Sequence, residues 1–420
     1  MSDHALPVPV TGSPDMVAAE ETAAARAAMV ARLEAAGDLR PGPLRDALLA
    51  LPREVLMPQA YVRRSAPDET PPRWDLLDWS AAEDRRELLD VLYGGGSVPI
   101  QHDGEPILGR VRGSRRGGSI TSMSSVMGMT AGLLHRLDLR PGQRVLDIGT
   151  GSGLTAAMAC LVCGDARVVT VDRDPHITAA AKARLSALGC APTVVTGDGE
   201  AGWAGAAPYD RILVSFAVPR VPAAWVEQLA PGGLALATVS TRSPSWPGLA
   251  VVTRTPDGLP EAELRAVEFG HRAGHGLDHL SLSPAFRERI AAGNGSTSHS
   301  RLAPPPDAAR GMWLALDHLH PGLVRHFGAE HLVVGAPECG SWLTVRPGGE
   351  GVWTVTASGP RDIWDEIQDT AARWRAAGEP GAYRLEFGPG GEQWASAGHG
   401  RGTLSWRLPG PGVQDGTVPR

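Results

Sequence analysis

From Val145 onward the chain alternates between two hydrophobic periods. A short apolar run, Arg144-Val-Leu-Asp147, meets a glycine-rich turn and then a helical stretch from Leu154 to Cys163. Apolar runs at Val168–Val171, Thr193–Val195 and Ile212–Ser215 follow, with a helical stretch from Pro175 to Leu188 after the first of them. A helix over Val221–Leu229 leads through Pro231-Gly-Gly233 into a strand over Leu234–Val239. Short apolar runs separated by helical stretches predict parallel strands buried on both faces, with helices covering each face. The predicted class is α/β, with a Rossmann-like sheet.

The flanks read differently. Residues 1–22 lack periodicity and read as a flexible tail. Met29, Val30 and Leu33 mark a first helix, and Leu44, Leu48, Leu49 and Leu51 a second that ends before Pro52. Pro67–Pro72 reads as a loop, Trp74–Leu92 as a helix stopped by Gly94-Gly-Gly96, and Val126–Leu137 as another helix. Residues 281–310, with Pro304-Pro-Pro306, read as a partly helical linker. Beyond it lie seven of the 12 tryptophans. There, strands at Ser341–Val345, Val352–Thr356 and Tyr383–Phe387 flank an amphipathic helix bearing Ile363, Ile367 and Trp374. The expected division is a catalytic domain over 23–280, a small α+β domain over 311–410 and a second tail over 411–420.

Composition narrows the function. The net charge is −6 with no block of like charge, which argues against nucleic acid as a partner. No apolar run reaches the ~18 residues of a membrane span, and Met1-Ser-Asp-His-Ala-Leu-Pro is no secretory signal. Four cysteines do not make a disulfide framework. A cytoplasmic protein without a membrane partner is expected.

The chemistry lies in Val145-Leu-Asp147-Ile-Gly149-Thr150-Gly151-Ser-Gly153-Leu154. Alternate glycines after a strand let the backbone turn tightly and approach a ligand closely. A dinucleotide loop is G-x-G-x-x-G, but here the third glycine comes one residue early and Leu154 stands where that pattern wants glycine. Asp147 would repel a pyrophosphate and attract an amino group. The next strand ends at Asp172-Arg173, where a carboxylate can accept ribose hydroxyls, and Asp198 in Gly197-Asp198-Gly199 can accept from an adenine amino group. Adenosine plus a cationic amino acid without phosphate describes S-adenosylmethionine. The expected cofactor set is Asp147, Gly149, Thr150, Gly151, Gly153, Leu154, Asp172, Arg173, Asp198 and Gly199, with no metal.

A family resemblance then becomes specific. Leu49-Ala-Leu-Pro-Arg-Glu-Val-Leu-Met-Pro58, Gly118-Ser-Ile-Thr-Ser122, Leu139–Gly153, Gly197-Asp-Gly199, Pro208-Tyr-Asp-Arg-Ile-Leu-Val214 and Leu229-Ala-Pro-Gly-Gly233 resemble, in order, the protein-L-isoaspartate O-methyltransferases. The likeness spans about residues 23–275. It implies a class I methyltransferase sheet and methyl transfer to an aspartyl or isoaspartyl carboxylate of a peptide or protein. It also places Thr121, with Ser119 and Ser122 nearby, at the acceptor carboxylate. Thr121 stands where the family has serine, and Met123 where it has proline. The longer stretch over 65–117 and the C-terminal domain have no counterpart in the compact repair enzymes. Such additions resemble a branch acting on ribosomally made, modified peptides, whose aspartyl ester closes to aspartimide or isoaspartate. A general repair methyltransferase is the alternative, and an inactive peptide-binding module is a further one.

Other features have plainer readings. Cys160 and Cys163 suit core packing, and His271, His275 and His279 suit a loop, since Gly270, Gly274 and Gly276 interrupt any helix. Thr121 could instead cap the following helix. Arg110, Arg112, Arg115 and Arg116 could attract an acidic peptide or be merely solvated. A nicotinamide dehydrogenase is disfavoured by Leu154.

Overall fold

A computed structural model describes residues 14–410 except 67–68, 244–246, 268–281 and 330, and omits the side chains of 14–18 and 401. Both expected tails and the three spaced histidines therefore lie wholly or largely outside the described residues. Helix α1 (Pro14–Ala36) begins earlier than periodicity predicts, followed by α2 (Pro43–Ala50) and α3 (Arg53–Leu56). The expected helix over 74–92 is instead a strand and a shorter helix. After β1 (Gln59–Arg63) come β2 (Arg73–Asp78), α4 (Arg85–Tyr93), β3 (Val98–His102), β4 (Gly113–Arg116), β5 (Ile120–Ser124) and α5 (Met127–Leu137). β2 lies between β1 and β4 in a three-stranded antiparallel sheet, while β3 pairs with β5.

The alternating region folds as its periodicity predicts. It comprises β6 (Val145–Ile148), α6 (Leu154–Cys163), β7 (Val168–Asp172), α7 (Pro175–Ala187), β8 (Thr193–Thr196), β9 (Tyr209–Val218), α8 (Ala223–Glu227) and β10 (Leu229–Val239). Antiparallel β11 (Gly248–Arg254) and β12 (Pro260–Ala266) extend it. Consecutive strand residues face opposite cores. Val145, Leu213 and Leu236 pack with the helices of the first half of the chain, whereas Leu146, Ile212 and Ala235 pack on the other side with Trp225, Leu314 and Trp406. α6 is apolar on nearly every side because all its residues but Thr155 and the exposed Leu161 are buried, which is why it carries little amphipathic signal.

The C-terminal part both extends the central sheet and builds a second one. It contains α9 (Pro284–Ala291), β13 (Ser296–Ser300), α10 (Arg310–Leu319), β14 (Val324–Phe327), β15 (Leu332–Ala336), β16 (Ser341–Gly349), β17 (Val352–Ser358), α11 (Ile363–Ala376), β18 (Ala382–Phe387), β19 (Gln393–Ala397) and β20 (Leu404–Arg407). The expected linker supplies β13, which closes one edge of a five-stranded antiparallel sheet, β13-β17-β16-β15-β14. β18 pairs with β12, so the last three strands complete one ten-stranded sheet in the order β20-β19-β18-β12-β11-β10-β9-β6-β7-β8. α10 is shared between the sheets. Its Leu314 and Ala315 pack on the ten-stranded sheet, and its Met312, Trp313 and Leu316 on the five-stranded one. Part of the core of residues 311–410 is continuous with that of the parallel strands.

α10 also buries His318, stacked on Trp406 at 5.3 Å, and its Nε2 has no hydrogen-bond partner among the described residues. Burial lowers its pKa to about 3. The unfolded chain takes up this proton near pH 6.5, so stability is intact above that value. Below it, stability falls by about 1.4 kcal/mol per pH unit until pH approaches 3. His318→Phe keeps a ring against Trp406 and removes the titration. Urea midpoints should converge between variant and wild type at pH 7.5 and favour the variant at pH 5.

Candidate active site

The carboxyl ends of β6, β7, β8 and β9 open into a cleft of about 540 Å³, at the rim where open α/β sheets bind ligands. Its floor is the glycine turn. Gly149, Gly151 and Gly153 have φ of +95°, +49° and +82°, a backbone region that disfavours side chains. A Cβ on Gly149 would also stand 3.1 Å from the Phe216 ring and 3.2 Å from Ser215 Cβ. Thr150, Gly151, Leu154, Arg173, Asp198 and Gly199 line the same cleft. Gly153 does not. It starts α6 and faces Leu185.

Asp172 forms one wall. Its Oδ2 accepts from the Gly151 N–H and its Oδ1 from the Asp174 N–H, both at 3.1 Å. Burial raises its pKa against the pull of these donors. Asp174 in turn caps α7, accepting from the His176 N–H at 2.8 Å, with Pro175 at the first helical position. After β8, Asp198 Oδ1 accepts from the Glu200 N–H (3.0 Å), a bond that shapes its own turn. A Cβ on Gly199 would stand 2.6 Å from Ile148 Cγ2, so only glycine brings this turn so close.

Asp147 has a different post from the one its sequence position suggests. It is buried behind the loop, outside the cleft lining. Thr155 and Thr170 hydroxyls each donate to one of its oxygens at 2.7 Å. Since Thr170 spends its proton there, Thr150 donates to Thr170, also at 2.7 Å. Burial pushes the Asp147 carboxyl up to about 7 despite both donors. The side chain ties β6, β7 and α6 together beneath the cleft.

The other half of the cleft comes from β5 and its neighbours. Thr121, Ser122, Ser125, Ser215 and Phe216 line it. Ser119 does not. It is exposed, and its backbone exchanges hydrogen bonds with Asp103. Thr121 does not cap the next helix, which has Val126 at its start and no side-chain cap. Its Oγ1 accepts from the Gly104 N–H (3.0 Å) and donates to Gln101 Oε1 (2.9 Å). Sequence reading missed Gln101. Its Nε2 donates to Asp174 Oδ2 at 2.7 Å and to the Glu105 carbonyl at 3.1 Å, so one buried amide connects the acceptor side to the cofactor side. The only sequence cue for it is a polar residue in the otherwise apolar Val98-Pro-Ile-Gln101.

The remaining candidates fall elsewhere. Arg112 pairs with Glu83 and Asp84, and Arg110 with Glu105. Cys160 and Cys163 are buried in the core. Cys160 meets not Cys163 but Cys190 and Asp165, their ligand atoms within 4.8 Å of one another, and burial raises both thiol pKa values.

The profile of the Protein-L-isoaspartate(D-aspartate) O-methyltransferase (PCMT) family matches residues 116–259. Protein-L-isoaspartate O-methyltransferase of Aeropyrum pernix is 31% identical over 263 residues, 61% of this chain and 83% of that protein. The Methanopyrus kandleri protein of the same name is 32% identical over 237 residues, covering 56% and 84%. The chain belongs to this family. A solved protein-L-isoaspartate O-methyltransferase aligns over 91% of this chain and 99% of its own at 19% identity, with a TM-score of 0.45. As a member, the protein is an S-adenosylmethionine-dependent protein carboxyl O-methyltransferase. The residues present suit that cofactor: the lining has glycine at 149 and 199, where a Cβ would crowd Phe216 and Ile148, and it carries the carboxylates of Asp172 and Asp198. Among the described residues, no helix is long and apolar enough to cross a membrane.

Proposed function

We propose that the protein esterifies an aspartyl or isoaspartyl carboxylate in one dedicated, modified peptide, and that the general repair of damaged proteins is not its main task. The observation carrying the methyl transfer itself is the division of the cleft, with glycine turns and Asp172 and Asp198 on one side and hydroxyls on the other. Gly149, Gly151, Asp172, Asp198 and Gly199 hold the cofactor. Bound there, S-adenosylmethionine supplies a methyl group on a sulfonium. A carboxylate with a pKa near 4 is already anionic at neutral pH, so no side chain has to take its proton. The chain's task is to aim the acceptor oxygen and keep water out.

The proton of Thr121 is committed to Gln101, so Thr121 orders the acceptor loop. Among the described residues, the Ser122 and Ser125 hydroxyls have no hydrogen-bond partner, and they are the ones that donate to the carboxylate. Ser122→Ala should lower kcat/KM about 10- to 100-fold, the worth of a hydrogen bond to a charged group, and leave the cofactor KM unchanged. Thr121→Ser keeps both bonds of the native threonine and should be nearly neutral.

The dedicated substrate is favoured by surface outside the cleft lining, on the β1-β2-β4 sheet and the C-terminal strands and helices, because selectivity needs surface that wrong partners cannot satisfy. In the product ester, the neighbouring backbone nitrogen attacks the ester carbonyl, a five-membered imide forms and methanol leaves. Mass spectrometry of generic isoaspartyl peptides incubated with enzyme and cofactor tests the reading. Slow methylation is expected, efficient turnover across the panel would leave repair as the function, and absence of cofactor binding by calorimetry would leave a binding module.

A further inference from the structure

The last strands of the chain reach the cleft from behind. Gln393, at the start of β19, is 4% exposed and grips the backbone of one residue at two points. Its Oε1 accepts from the Val221 N–H at 3.0 Å, and its Nε2 donates to the Val221 carbonyl at 2.6 Å. Arg220 adds a third tie, donating through Nη1 to the Gly391 carbonyl at 2.7 Å. Gln393 is itself fixed, since its carbonyl accepts from the Leu408 N–H at 2.9 Å.

What is gripped matters. Val221 belongs to the segment between β9 and α8, and the residues just before it, Phe216 to Pro219, form a wall of the cleft. The residues just after it lead to Trp225, fully buried, whose indole N–H donates to the Gly199 carbonyl at 2.8 Å. One end of the segment thus borders the acceptor half, and the other is pinned to the turn that carries Asp198. Val221 and Leu408 lie in a common core with Val218 and Trp225. A backbone N–H and carbonyl buried there, with no water to replace a lost partner, would force the segment to move.

We propose that Gln393 is a positioning residue for the acceptor, setting the Phe216–Pro219 wall through Val221, so that the C-terminal hairpin is an integral part of the active site. The inference rests on the acceptor half identified under the proposed function. It assigns the hairpin a role distinct from that of a surface that captures peptide.

Gln393→Met keeps the volume and removes both bonds. With whichever aspartyl or isoaspartyl peptide the full-length enzyme methylates, the acceptor KM should rise about tenfold. Turnover number and the affinity for S-adenosylhomocysteine should stay within about twofold, because Trp225 still holds Gly199. Arg220→Ala, which cuts the tie nearer the surface, should shift the same constant in the same direction by a smaller factor, and it decides the matter if Gln393→Met does not fold. An unchanged acceptor KM, including one accompanied by a lower melting temperature, overturns the proposal. Hydrogen exchange across residues 217–225 reads the brace without any acceptor. Exchange about tenfold faster there, with the glycine turn unaffected, supports it even if no peptide is methylated, and wild-type exchange overturns it.

Discussion

Asp172→Ala should cost the enzyme its cofactor. The carboxylate accepts two backbone N–H bonds, from Gly151 and Asp174, and so holds the glycine turn and the start of α7 in register with each other. Hydrogen bonds to a charged group contribute about 1.5–3 kcal/mol each, and a ribose would lose its acceptor as well. Titration calorimetry with S-adenosylhomocysteine should show affinity weakened by about 100-fold or more. The fold should survive, since Asp172 stands at the rim and the two cores lie beneath it. Asp172→Asn is the informative companion. The amide offers one acceptor where the carboxylate offers two, so one of the two loops must be released, and an intermediate loss is expected. Affinity unchanged in both variants would remove Asp172 from the cofactor site.

The second large effect concerns stability. Arg53 is fully buried and, among the described residues, has no carboxylate partner. Its Nη1 donates to the Leu92 carbonyl and lies 3.7 Å from Met29 Sδ, while Nη2 reaches Ser124 Oγ at 3.4 Å. One side chain thereby joins α1, α4 and the end of β5, next to the cleft. Its backbone N–H donates to the Tyr93 hydroxyl at 3.0 Å, and that hydroxyl donates to Glu54 at 2.5 Å. Burial lowers the guanidinium pKa to about 10, a sign that the charge is held at a cost. Arg53→Ala leaves a cavity and an unpaired carbonyl, and should destabilise by about 3–5 kcal/mol. Arg53→Met fills the stem volume and removes the buried cation, so it should lose markedly less. Urea denaturation of the pair separates packing from charge, and equal losses in the two variants would show that the hydrogen bonds dominate.

The parts of this fold that were legible in the sequence are those fixed by local chemistry. The glycine turn, the limits of α6 and the position of Asp172 follow from backbone freedom and from buried parallel strands that read as unbroken apolar runs. β4, Gly-Ser-Arg-Arg, has no apolar residue and gives no periodic signal, although it completes a sheet. β2 reads as helix because Leu76 and Leu77 are both buried, which breaks the alternation of a strand with one solvated face. For β18, alternation reveals a strand but not its neighbour, and pairing with β12 is set by distant packing.

The site divides in the same way. Asp198 and Gly199 line the cleft as their motif predicts, whereas Asp147 is drawn under the loop by Thr155 and Thr170, one of them on a neighbouring strand. Ser119 lies outside the lining, in a segment whose backbone is paired with Asp103. Gln101 and Gln393 act across 73 and 172 residues, beyond the reach of any local pattern.

The pairing of β18 with β12 also has a cost during synthesis. β12 leaves the ribosome long before residue 382 does, so through that interval one long margin of the nascent sheet offers bare amides and carbonyls to any passing polypeptide. Arg265 and Glu263 on that margin blunt it with charge, and Pro260 withholds one donor. Yield of the intact enzyme is thus tied to how quickly the ribosome delivers the final hairpin, quite apart from how stable the finished molecule is.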